Sequence, residues 1–88
     1  MRRRIEAVAG YYDSMSKLDR SEETTRAGEA ILKRAVNRPE WGTPIRGYRI
    51  RMMQTTRIGP FPPLRLLYAL DDDTMYLLWI GVVEELAL

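Results

Sequence analysis

Arg46, Arg49, Arg51, Arg57 and Arg65 all fall within residues 41–70, and no acidic side chain lies among them. A guanidinium presents a planar fork of donors that matches phosphate oxygens two at a time and stacks on bases. It holds its proton too firmly to act as an acid or base, so its catalytic use is as an electrostatic clamp. In Tyr48-Arg49-Ile50-Arg51-Met52 the residue types alternate strictly, which is strand patterning. It predicts Tyr48, Ile50 and Met52 on one face and Arg49 and Arg51 on the other, ~7 Å apart. Pairing with the next apolar run brings Arg65 to that same face. All five arginines are therefore candidates to bind nucleic acid. The plainer alternative is a solvated strand face whose arginines pair with Glu22, Glu23 or the acidic C-terminal stretch.

Charge elsewhere in the chain sharpens the contrast. Residues 1–40 mix nine basic with seven acidic side chains, whereas residues 71–88 hold Asp71, Asp72, Asp73, Glu84 and Glu85 and no base. Segregation by sign is how an electrostatic footprint looks in a sequence whose net charge is only +2. The chain has neither cysteine nor histidine. Disulfides, thiolate nucleophiles, serine–histidine–acid triads and most transition-metal sites are excluded together. No cofactor or metal is expected. The acids at 71–73 could hold a cation, but three acids at a tight connection are more often a solvated turn. Tyr48, Tyr68 and Tyr76 could move protons, although their alternation suits core aromatics. Arg2, Arg3 and Arg4 suit a solubilising terminus as well as a phosphate backbone.

The elements that position these side chains can be read from periodicity. Ile5, Val8, Tyr12, Met15 and Leu18 recur at helical spacing and predict a first helix with that apolar stripe, interrupted by Gly10. A second helix is expected from near Ser21, with Glu22 and Glu23 in its first turn and Lys33, Arg34 and Arg38 near its end. Its buried side is expected to be Ala27, Ala30, Ile31, Ala35 and Val36, and Pro39 stops it. Trp41–Gly47 is a loop, and Gln54–Pro63 a long connection with three prolines, bearing Ile58 and Phe61. Leu64–Leu70 is a strand with Leu64, Leu66, Tyr68 and Leu70 opposite Arg65, Leu67 and Ala69. Thr74–Val83 is a further strand, apolar on both faces and so central or well covered. The expectation is one α+β domain over residues 1–88, a helical hairpin on a small antiparallel sheet of three to four strands. Its size leaves room for an open groove rather than a deep cavity. No apolar run reaches the ~20 residues of a membrane span, and Met1–Ile5 has no apolar segment behind it, so a cytoplasmic location is expected.

Two helices followed by basic alternating strands, and then Leu64-Arg65-Leu66-Leu67-Tyr68 leading through the acidic turn to Gly81, resemble the RelE/ParE superfamily of toxins from toxin–antitoxin systems. The likeness is greatest over residues 48–81, where Tyr48-Arg49-Ile50-Arg51 is similar to the family's Tyr-Lys-Ile-Lys strand. The resemblance implies a RelE-like, ribosome-dependent mRNA interferase, an endoribonuclease promoting attack of a ribose 2′-hydroxyl on the adjacent phosphate. It implies that Arg49 and Arg51 take the places of two strand lysines and Arg65 that of the phosphate-stabilising arginine. Its partners would be mRNA on the ribosome and a cognate antitoxin, docking on Ile58, Phe61 and the Leu86–Leu88 tail. A ParE-like toxin that inhibits DNA gyrase without catalysis, or an RNA-binding relative that does not cleave, is the alternative. Four features depart from the pattern, one of them an overall charge less basic than is usual in the family. Nothing after Gly81 supplies the family's basic residue and terminal tyrosine or histidine. The first family strand is absent or reduced to Met1–Ile5, and the 54–63 connection is longer than the family's tight turn.

Overall fold

The computed structural model describes residues 3–47, 49–55 and 62–83. Tyr48, Arg57, Ile58, Phe61 and the Leu86–Leu88 tail lie outside the described residues. The chain order is β1 (Arg4–Ala7), α1 (Ala9–Ser16), α2 (Glu22–Asn37), a 3-10 turn (Pro39–Trp41), β2 (Thr43–Pro44), β3 (Ile50–Gln54), β4 (Leu64–Leu70) and β5 (Thr74–Val82). The fold is α+β as expected, but among the described residues the sheet has five strands rather than three to four, in the order β1-β5-β4-β3-β2. It is mixed rather than antiparallel. β1 runs parallel to β5, because the two helices between them carry the chain back across the sheet before β5 begins.

The sequence expectation for α1 needs correcting. Its buried residues are Tyr11 and Ser14, whereas Val8, Tyr12 and Met15 are exposed and Ile5 belongs to β1. The helix is rotated by about one residue, ~100°, from the apolar stripe. The reason is visible at Ser14. Its hydroxyl donates to the Tyr11 carbonyl (2.8 Å) and accepts from the Ile80 amide (3.0 Å). β1 ends opposite Leu77, so the free edge of β5 beyond it needs a polar partner, and α1 supplies one. Close approach also explains Gly10, where a Cβ would lie 3.4 Å from the Leu78 carbonyl oxygen.

α2 follows its sequence closely. Ser21 caps it by accepting from the Thr24 amide at 3.2 Å, Glu22 and Glu23 occupy the first turn, and it stops before Pro39. Ala27, Ile31 and Ala35 are buried, while Ala30 and Val36 are exposed. Ile31 and Ala35 meet Met53, Leu66, Tyr68, Met75, Leu77 and Ile80 from the sheet to form the core. Each large apolar side chain so buried contributes ~1.5–3 kcal/mol.

A β-bulge sets the faces of β5. Leu67 pairs with Trp79 but Tyr68 pairs with Leu77, so Leu78 is an extra residue in the ladder. The slip puts Met75, Leu77 and Ile80 all on the helix side. It turns Tyr76, Trp79 and Gly81 to the opposite face.

Candidate functional site

Register decides where each arginine lies. Arg51 pairs with Tyr68 and Met53 with Leu66, so the helix-facing side of β3 carries Arg51 and Met53. Ile50, Met52 and Gln54, opposite Ala69, Leu67 and Arg65, line the other side. The expected split of β3, with Ile50 and Met52 opposite Arg51, holds, but the expectation that Arg51 and Arg65 share a face does not. Alternation alone cannot say which of two faces a helix will cover, and α2 covers the one with Arg51.

Arg51 is half-buried at the margin of the core, where its Nη1 donates to the Gly42 carbonyl at 2.9 Å and more weakly to that of Glu40 at 3.4 Å. Beside it the buried Tyr68 hydroxyl donates to the Pro39 carbonyl at 2.6 Å. Burial raises the Tyr68 phenol above its ordinary pKa of 10.0, against a lowering by the Arg51 charge and the Gly42 backbone. Gly42 leaves the space these groups need. A Cβ there would fall 2.0 Å from the Tyr68 oxygen and 3.1 Å from the Arg51 Cβ. Arg51 and Tyr68 thus tie the 3-10 turn to the sheet. Arg49 is exposed in a bend ahead of β3, and Arg46 is exposed in the turn completed by Gly47, whose φ of 85° needs no Cβ in the way. Arg57 lies outside the described residues.

Arg65 lies on the sheet face away from the helices, opposite to that of Arg51. Its Nη2 donates to Gln54 Oε1 at 3.3 Å, while its buried Nε has no hydrogen-bond partner among the described residues. No carboxylate pairs with it among the described residues. Across the ladder it faces Gly81, and the Trp79 ring occupies the space a Gly81 side chain would fill, 2.3–2.4 Å from where that Cβ would stand. Met52, Leu67 and Trp79 make the next row, and Ile50, Ala69, Tyr76 and Glu6 a further one. The face therefore joins one under-coordinated guanidinium to an aromatic and aliphatic platform. Trp79 escaped sequence reasoning, because the bulge that turns it outward leaves no mark in the residue pattern. The only hint was a glycine two residues after a tryptophan.

Proton transfer has no candidate beside Arg65 among the described residues. Tyr76 shares its face but pairs with Ala69, four residues along β4, ~13 Å away. Tyr68 is buried on the other side. Asp71 and Asp73 serve their own turn, accepting from the Asp72 amide and the Thr74 hydroxyl. A second basic–aromatic pair, Arg38 over the exposed Trp41 ring at 5.5 Å, lies at the end of α2. Between α1 and α2 runs a groove of about 530 Å³, lined by Tyr12, Met15, Leu18, Thr24, Gly28 and Leu32.

No protein-family model and no curated protein matches the chain.

Proposed function

We propose that this chain is a RelE/ParE-like, toxin-type protein of the non-cleaving kind, which binds single-stranded RNA on the open sheet face through Arg65 and Trp79. The observation that carries this reading is the placement of Arg65 opposite Gly81, over which the Trp79 ring lies. A guanidinium clamps a phosphate while an adjacent aromatic face stacks a base, the usual combination for single strands. The resemblance in residues 48–81 supports the assignment to the superfamily. So does β1, which supplies a strand ahead of the two helices where the sequence left room for at most Met1–Ile5. Against cleavage stand the separation of Arg51 from Arg65 and the absence of an acid–base group near Arg65 among the described residues. A cognate antitoxin remains the expected protein partner of such a toxin.

The test is fluorescence anisotropy with a labelled single-stranded RNA, followed by denaturing electrophoresis of the same sample. The expected result is saturable binding with the RNA intact, and no in-codon cuts by primer extension in a translation reaction. Cuts that vanish in Arg65→Ala restore the mRNA interferase reading. The apolar rows around Leu67 and Met52 favour a second reading, a ParE-like contact with DNA gyrase. Inhibition of supercoiling by a protein that leaves RNA unbound would select it.

A further inference from the structure

We propose that the outer edge of β1 pairs two copies of this chain about a two-fold axis through Ile5, joining their sheets into one. Among the described residues β1 is the last strand on its side of the sheet. The Arg4 amide donates to the Asp73 carbonyl at 2.7 Å and the Val8 amide to the Leu77 carbonyl at 3.1 Å. Residues of even number therefore turn their backbone groups toward β5, and alternation turns the amide and carbonyl of Ile5 and Ala7 outward. Such an edge is a template for another strand unless charge or shape blocks it.

Here the charges select an occupant. Arg4 and Glu6 flank Ile5 on the open face, both are exposed, and neither has an ion pair among the described residues. In an antiparallel pairing centred on Ile5, the two Ile5 residues exchange both backbone hydrogen bonds. Arg4 of each copy then stands opposite Glu6 of the other, giving two cross-strand ion pairs by symmetry. The neighbouring symmetric registers fail. Centring on Glu6 sets carboxylate against carboxylate, centring on Arg4 sets guanidinium against guanidinium, and centring on Ala7 runs into α1. On the helix side, the two Ile5 side chains, each 48% exposed in the single chain, meet across the axis. The same register carries the second copy's Asp71–Asp73 turn toward the end of the ladder where α1 begins. That helix has no side-chain cap and no acid in its first turn. A partner strand of another protein would have no reason to match Arg4 and Glu6 in this order, whereas a second copy matches them by construction.

A four-residue edge makes a weak dimer, so the test is sedimentation equilibrium of the full chain up to about 1 mM. Wild type is expected to self-associate. Glu6→Arg and Arg4→Glu should each weaken the dimer about tenfold, since each changes both symmetric pairs at once. The double variant Arg4→Glu/Glu6→Arg exchanges the charges and should recover the wild-type constant to within about threefold. Circular dichroism checks that each variant folds, as exposed substitutions should. A wild-type chain that stays monomeric throughout overturns the proposal. So does a dimer indifferent to the single reversals, or a double variant no tighter than the singles.

Discussion

At the scale of single residues, Arg51 and Arg65 look equivalent in sequence and do opposite work. Arg51 donates to the backbone around Gly42 and stands beside Tyr68, whereas Arg65 lies on the opposite sheet face and, among the described residues, donates only to Gln54. Arg51→Ala should therefore lower stability by about 1–3 kcal/mol, because the Gly42 carbonyl loses a charged donor. Chemical denaturation measures this. Tyr68 and Tyr11 give a pH signature. Burial, first of all, holds both phenols above 10.0, so the folded chain keeps protons that the unfolded chain releases earlier. The stability they contribute is complete below about pH 10 and is lost as pH rises through their folded-state values. Tyr68→Phe should flatten that alkaline decline while costing about 1–2 kcal/mol at neutral pH, through the unmet Pro39 carbonyl. Urea midpoints of both proteins from pH 7 upward compare the two effects. The arginines, Tyr68 and the acidic turn were all legible as residues of interest. Which arginine serves the fold was not, because that depends on which face of the strand α2 covers.

At the scale of elements, the long amphipathic signals held and the short ones slipped. α2 has sixteen residues, an N-cap serine and a stopping proline, so its limits and most of its buried face follow from sequence. α1 has eight, too few for a stripe to outvote one hydrogen bond, and Ser14 rotates it to reach Ile80. Ser14→Ala should cost about 1–3 kcal/mol by leaving the Ile80 amide unsatisfied. Native-state hydrogen exchange at Ile80 should show the loss more locally than any global midpoint. The bulge in β5 is the other feature that alternation misses, since an extra residue reverses every assignment beyond it. Gly81→Ala tests its consequence. The added Cβ collides with the Trp79 ring, which is 37% exposed and has solvent to swing into. The variant should fold normally, shift its tryptophan emission and bind RNA several-fold more weakly. Wild-type affinity in a protein with a shifted emission would remove Trp79 from the site.

At the scale of the whole molecule, one side of the sheet is committed to the helices and the core, and the other carries Arg65 and Trp79. Of the basic block of residues 41–70, Arg51 and Arg65 fall on opposite sides of the sheet, so these two do not share one electrostatic footprint. The salt dependence of binding should be correspondingly shallow. A slope in log K against log salt of about −0.7 to −1.4 fits one or two phosphate contacts on a single strand. A slope several times steeper would mean that Arg46, Arg49 and the arginines beyond this face also engage the backbone. Among the described residues no helix is long and apolar enough to cross a membrane.

The most direct measurement is a side-by-side titration of one single-stranded RNA, at one low salt concentration, with wild type, Arg51→Ala and Arg65→Ala. Arg65→Ala should lose at least about tenfold in affinity, the loss of one charged clamp on a phosphate. Arg51→Ala, although less stable, should bind like wild type wherever it is folded. Equal losses in the two variants, or a loss confined to Arg51→Ala, would contradict an RNA site at Arg65.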